Sequence, residues 1–193
     1  MSQSEITKSK LISAAKKIFS EKGYYDTKVS DIVKEAGVAQ GTFYLYFKSK
    51  EEIFKEIILD ITGNIENILK KYEKSKDSVE KIIIDLKAEV TTYLYTHKEI
   101  ARIFLFQLFT MKEFIDLYFE TLEKFEKIEK SIIERAIKEG KIKYKNIDNL
   151  VNILLGYGRR LFEDEVLLKN KSLDEVLKLQ KEGLQIIFKG ATT

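Results

Sequence analysis

The chain of 193 residues has no cysteine, no proline and one histidine, His97. Without cysteine it forms no disulfide and carries no thiolate chemistry. One histidine and no cysteine leave no His/Cys set for a metal, so no metal site is expected. Average usage near 5% would give about ten prolines. Their absence, beside abundant Glu, Lys, Leu and Ile, points to an all-α chain. No apolar run reaches the roughly 18 residues that a membrane span needs. The first residues, Met1 to Ile6, lack a signal-peptide pattern, and a cytoplasmic location is expected. There is no Gly-rich phosphate loop and no helix-borne His/carboxylate cluster. No enzyme activity and no cofactor are therefore expected.

What charge there is lies unevenly. The formal net charge is +3, from 34 basic and 31 acidic residues. Residues 1–55 hold 10 Lys/Arg and 7 Asp/Glu, which leaves 24 of each for the rest. The whole positive excess thus falls in the N-terminal quarter, the sign expected of a surface that faces phosphates.

Apolar spacing divides the chain into about nine helices. Ile6, Leu11, Ala14, Ala15, Ile18 and Phe19 form one stripe of a helix over 5–22, and Gly23 stops it. Thr27 is placed to cap a helix over 28–36, which carries Val29, Ile32, Val33 and Ala36 inward and ends at Gly37. A short helix over 40–46 follows. Ser49 and Glu52 read as a capping box that opens a long helix near Lys50. Further helices are expected at 50–74, 78–96, 98–109, 111–139, 146–169 and 172–188, the last opened by a second capping box, Ser172 and Glu175. Two domains are expected, 1–49 and 50–193.

The run from Asp31 to Lys50 is the most informative. A short helix, a turn at Gly37, a second short helix and a basic loop make a helix-turn-helix pattern. On the second helix Phe43 and Phe47, four apart, face the core, while Gln40, Thr42, Tyr44 and Tyr46 point elsewhere. Gln suits a bidentate contact with adenine, and the Thr methyl suits the thymine methyl. Lys48 and Lys50 converge on the start of the next helix, where free N–H groups can hold a phosphate. Thr27 and Lys28 offer a second phosphate contact.

This segment resembles the DNA-binding domain of the TetR family of repressors. The resemblance rests on Ala14-Ala15, Ile18-Phe19, Gly23-Tyr24, Thr27, Val29, Asp31-Ile32, Ala36-Gly37-Val38, Gly41-Thr42-Phe43-Tyr44, Tyr46-Phe47 and Lys48-Ser49-Lys50-Glu51. It covers about residues 6–55. It implies DNA contacts from Thr27, Lys28, Gln40, Gly41, Thr42, Tyr44, Tyr46, Lys48 and Lys50. Two positions depart from the family. Ala39 stands where Ser usually caps the second helix, a loss of about 1 kcal/mol. Lys28 stands where a small hydroxyl residue is frequent.

Beyond residue 56 the sequence is rich in aromatic and aliphatic side chains. Ile103 to Phe109 is apolar almost all round, so that helix is expected to be buried on most faces. Gly156 and Gly158 interrupt a helix at about 1 kcal/mol each relative to Ala. They are expected to allow a close helix approach or to leave room for a ligand. The apolar sets over 146–188, which include Leu155 and Leu184, are broad enough to need a partner, and a symmetric four-helix homodimer interface is expected. Arg159 and Arg160 precede Glu163, Asp164 and Glu165 at pairing distance along a helix.

The resemblance also implies an effector pocket among these helices. The apolar helix at 103–109 beside scarce polar groups places an effector's tail among Phe104, Phe109, Tyr118 and Tyr157, with His97, Arg102 or Arg159 near its head. The expected function is a ligand-responsive repressor. It would bind palindromic operator DNA as a homodimer and be released by a small hydrophobic effector such as an acyl-CoA or a fatty acid, with no membrane partner. The alternative is a helical adaptor without sequence-specific DNA binding. The Lys48/Lys50 pair argues against it.

Overall fold

A computed structural model describes residues 2–107, 111–140, 142–144 and 146–192. Among these residues the chain forms nine α-helices and one π-helical turn, and no strand. In order they are α1 Gln3–Lys22, α2 Val29–Ala36, α3 Gln40–Tyr44, α4 Lys50–Glu73, α5 Val79–Thr96, α6 Lys98–Phe106, α7 Lys112–Lys138, α8 Ile147–Leu161 and α9 Leu173–Thr192. The π-helical stretch Phe162–Leu168 continues α8. The sequence had that helix running unbroken to 169. The α-helical register instead gives way over the acidic run Glu163-Asp164-Glu165.

The ends follow local chemistry. Ser2 and Glu5 form a reciprocal capping box at α1, so two orphan N–H donors are satisfied. Ser78 and Asn146 cap α5 and α8 with their side chains. Gly37 ends α2 in the left-handed conformation, with φ 68°, which a β-carbon would oppose.

The chain folds into two compact units. The first comprises Met1–Gly63 and Glu99–Ile115. Its core gathers Leu11, Ala15 and Phe19 of α1, Ile32 of α2, Phe43 and Phe47, and Ile53, Phe54 and Ile57 of α4, all buried. Phe54 meets Phe19, Tyr24 and Phe114 edge-on. These contacts explain why the first part of α4 and the segment around α6 join this unit, although the sequence pattern places its break at residue 49. Burial of α6 is one-sided: Ile100 and Ile103 are buried and Phe106 is exposed. The expectation that 103–109 is buried on most faces thus fails for Phe106, while Phe109 lies outside the described residues.

The second unit comprises Asn64–Lys98 and Asp116–Thr193. Its apolar core includes Ile83 and Leu86 of α5, Ile132 and Ile133 of α7, Leu150, Val151 and Leu154 of α8, and Val176, Leu184 and Phe188 of α9. Leu184 is therefore buried within the chain itself rather than on the apolar outer surface expected of it. Among the described residues, no atom lies within 4 Å of where a side chain would begin at Gly156 or Gly158. The tight approach lies instead at Gly183, where a β-carbon would stand 2.1 Å from the Tyr157 hydroxyl oxygen. That hydroxyl donates to the Leu179 carbonyl at 2.9 Å, which locks α8 onto α9.

Candidate nucleic-acid interface

The sequence Gln-Gly-Thr-Phe-Tyr builds α3 as a short helix with one buried anchor. Phe43 is fully buried, and its ring lies 5.7 Å from that of Phe47. With that face fixed inward, Gln40, Gly41 and Tyr44 are exposed and Thr42 and Tyr46 are half-buried. No side chain caps α3 at Ala39, as the sequence implies. Leu45, which the sequence reading passed over, is 80% exposed beside Tyr44. An apolar side chain left in water at the tip of a presented helix suits contact with a thymine methyl. The alternation of Phe43, Leu45 and Phe47 gave no helical signal for it.

Lysines flank this surface. Lys28 and Lys48 are exposed. Among the described residues neither ammonium has a carboxylate partner. The backbone N–H of Lys28 donates to Asp31 Oδ2 at 3.0 Å, and the N–H of Lys48 donates to Glu52 Oε2 at 2.5 Å. Both lysines thus stand at fixed backbone positions with their side chains outward. Asp31 also pairs with Lys22 at 3.0 Å. Its carboxyl is held below the ordinary carboxylate value by the Lys28 N–H and then by Lys22.

Two other candidates are turned to structural work. Thr27 is 1% exposed, and its hydroxyl donates to the Gly23 carbonyl at 2.6 Å. It neither caps α2, whose cap position is Lys28, nor offers a donor to a phosphate. The Lys50 ammonium donates to the carbonyls of Tyr24, Tyr25 and Thr27 at 2.8, 3.2 and 3.0 Å. An ammonium has three donors, so all are engaged, and the phosphate role expected of Lys50 would require giving these bonds up.

The expected effector residues divide between the units. Arg102 and Phe104 belong to the first, with Arg102 near Glu99 at 3.4 Å and Phe104 edge-on to Phe114. His97, Tyr118, Tyr157 and Arg159 belong to the second. The His97 ring lies tilted against that of Tyr93, centroids 4.6 Å apart, and its Nδ1 lies 3.0 Å from the Tyr93 carbonyl oxygen, so it closes the end of α5. Arg159 pairs with Glu163 at 2.7 Å, donates to the Tyr118 hydroxyl and lies over the Tyr118 ring. Burial raises the Tyr118 hydroxyl above its ordinary value. Each residue expected to meet an effector head thus has a neighbour within the protein.

Sequence comparison extends this geometry. Residues 11–57 match the family of bacterial regulatory proteins, tetR family. Residues 80–187 match the tetracyclin repressor-like C-terminal domain.

The chain belongs to the TetR family.

TetR-family relatives agree along its length. The regulator QacR of Staphylococcus aureus is 28% identical over 191 residues, 95% of this chain and 97% of its own. The fatty acid metabolism regulator protein of Bacillus subtilis is 40% identical over 77 residues, 38% of this chain and 40% of its own. The chain thus spans less than half of that relative, and 53% of the uncharacterized regulator YdgC of Bacillus subtilis. Among solved structures, a transcriptional regulator from Aquifex aeolicus is 30% identical with a TM-score of 0.80, covering 94% of this chain and 99% of that one. The FadR regulator of Bacillus subtilis in complex with stearoyl-CoA has the same fold, with a TM-score of 0.81 and 24% identity over 94% of this chain and 98% of that one. These relatives are transcriptional regulators and not enzymes. Among the described residues no group of acidic or histidine side chains could hold a metal, and no helix is long and apolar enough to cross a membrane.

Proposed function

We propose that this TetR-family protein is a ligand-responsive repressor that binds a palindromic operator as a homodimer. One observation carries the reading: α3 is anchored by buried Phe43 and presents Gln40, Gly41, Thr42, Tyr44 and Tyr46 between the outward lysines Lys28 and Lys48. Gln40 suits adenine and the lysines suit phosphates. An adaptor would have no need of an unpaired cationic rim around a polar helix face. Two such helices in a dimer would enter successive major grooves about 34–36 Å apart.

The dimer surface in this reading is the outer face of α8 and α9, where Ile153, Gly156 and Ile186 are exposed. Apolar groups on adjoining helices beside a glycine suit close packing against a second copy. The effector is an acyl compound held in the second unit. Support comes from the similarity to a fatty acid metabolism regulator and from the fold shared with an acyl-CoA-binding one. Differential affinity of the effector for one arrangement of the dimer would shift the population away from operator binding.

The test is selection of duplexes from random DNA by the purified protein, followed by titration of acyl-CoA into the complex with the selected duplex. A palindromic consensus, released by the acyl compound, is the expected result. Absence of any enriched sequence would overturn the repressor reading, and enrichment without release would overturn the acyl effector.

A further inference from the structure

Helix α4 is weakest at its middle. Residues 60–65 read Asp-Ile-Thr-Gly-Asn-Ile, a run without a single strong helix former such as Leu, Lys or Glu. Elsewhere in α4 no more than two of the weaker formers stand together. Gly63 lies at the centre of the run. Its φ is not positive, and among the described residues no atom lies within 4 Å of where its side chain would begin. Neither the backbone conformation nor a close neighbour in the chain therefore calls for glycine. Alanine would fit and would favour the helix. What glycine supplies here is backbone freedom.

Thr62 adds to that freedom. Its hydroxyl donates to the Leu59 carbonyl at 3.2 Å. In an α-helix the same carbonyl accepts the N–H of Gly63. Such a side-chain bond competes with the helical one and favours bending. The two halves of α4 are anchored separately. Before the triplet 62–64, Ile57, Ile58 and Ile61 are buried, and Glu56 and Asp60 pair with Lys8 and Lys16 of α1 at 2.6 and 2.9 Å. After it, Ile65 and Leu69 are buried, and the Tyr72 hydroxyl donates to Glu89 of α5 at 2.7 Å. The first compact unit leaves α4 at Gly63, and the second takes it up at Asn64. The weak run, the free glycine and the competing bond thus coincide with the passage from one unit to the next.

We infer that α4 carries a joint at residues 62–64, and that Gly63 sets how strictly the protein reads the spacing of operator half-sites. The inference rests on the proposal that a dimer binds a palindromic operator. One base pair added between half-sites moves them apart by about 3.4 Å and turns one against the other by about 35°. Shared between two protomers, this asks about 17° of each α4, less than the roughly 20° beyond which a helix bend counts as a sharp kink. A jointed α4 accommodates the change. A stiff one must release a half-site.

The test uses the full chain, wild type and Gly63→Ala, with the duplex selected from random DNA and the same duplex carrying one base pair more or fewer between its half-sites. The variant should melt no lower than the wild type and bind the selected duplex comparably. Altered spacing should cost the wild type less than about tenfold in affinity and the variant at least about a hundredfold, since only the variant loses a half-site. An equal loss in both proteins would overturn the spacing role. Hydrogen exchange tests the joint without DNA. In the wild type the amides of residues 63–67, whose helical bonds span the triplet, should exchange at least about tenfold faster than those of residues 54–58, and the variant should slow them. Equal protection of both sets would overturn the joint. Absence of any enriched duplex would overturn the repressor reading and the spacing role with it, while the exchange rates still decide the joint.

Discussion

The Lys50 ammonium lies 4.5 Å from the centre of the Tyr24 ring while donating to the Tyr24 carbonyl at 2.8 Å. One cation therefore holds both the ring and the backbone of the connection between α1 and α2. The Tyr24 hydroxyl in turn donates to Glu51 Oε1 at 2.7 Å. The start of α4 is thus bolted to the turn that aims α2 and α3. The resemblance implies a DNA contact from Lys50, whereas here its ammonium holds the turn behind the helix-turn-helix.

The two lysines near α4 should therefore behave differently. Lys50→Ala should lower stability by about 1–3 kcal/mol, as three charge-assisted bonds to the turn carbonyls are lost, measured by urea unfolding. Lys48→Ala should leave stability unchanged and reduce the log–log salt slope of operator binding by about one. If Lys50→Ala kept wild-type stability yet lost a unit of slope, Lys50 would be a phosphate ligand after all.

Base reading should reside on the outward face of α3. Gln40→Ala should relax preference at one position of each half-site at a cost of about 1–3 kcal/mol. Leu45→Ser should weaken preference for thymine at a neighbouring position. Selection from random DNA reports both. An unaltered consensus for Gln40→Ala would remove it from the reading set.

Dimerisation should be sensitive to charge at Ile186, which is 74% exposed. Ile186→Glu should give folded monomers by light scattering, because the residue makes no core contact to lose. Leu184→Glu, two residues away, should give unfolded or insoluble protein, since a buried unpaired carboxylate is costly. Dimeric Ile186→Glu at low micromolar concentration would move the interface elsewhere.

Packing of α8 on α9 makes a further prediction. Gly183→Ala should destabilise the protein by about 1–3 kcal/mol through overpacking against Tyr157. Adding Tyr157→Leu should recover part of the loss, and a double-mutant cycle measures the coupling. Simple additivity of the two changes would contradict the contact.

Acid should loosen the bolt at Tyr24. Burial pushes the Glu51 carboxyl up, but hydrogen bonds from Tyr24 and Ser49, with Lys50 beside it, outweigh burial and hold it below its ordinary value of 4.5. Its stabilising contribution is thus present above that value and is lost as pH falls through the lower, folded-state one. Glu51→Gln should be less stable than the wild type at neutral pH, with the gap closing at acid pH. A gap independent of pH would show that Glu51 acts only through packing.

Much of this architecture was legible in the residues. Gly23 and Gly37 marked the ends of the first two helices, and the Ser172/Glu175 box marked the start of α9. Phe43 and Phe47 were recognisable as anchors from their spacing, so the outward set Gln40 and Tyr44 followed. What escaped was set by contacts between distant segments. Thr27 has the chemistry of a cap, yet the Gly23 carbonyl captures its hydroxyl because the turn folds back on itself. Lys50 reads as a free cation until the carbonyls of residues 24, 25 and 27 close around it. Gly183 gave no signal, since only the partner ring of Tyr157 reveals why a side chain is excluded there. The buried pairing of Lys87 of α5 with Glu129 of α7 was equally silent in a chain so full of both residue types.

Gln107 gives the first unit an unusual history. Its side-chain oxygen accepts the Tyr24 N–H at 3.0 Å, and its carbonyl accepts the Tyr25 hydroxyl at 3.0 Å. The turn between α1 and α2 is therefore completed by a residue 83 positions later in the chain. A ribosome releases the helix-turn-helix long before it releases Gln107 and Phe114. During that interval one turn N–H lacks its acceptor, and the edge of Phe54 that Phe114 covers is open to water. A protein cut after α4 would stay in that condition permanently. The part of the molecule that looks most self-sufficient in sequence is thus finished late, by a segment from the middle of the chain.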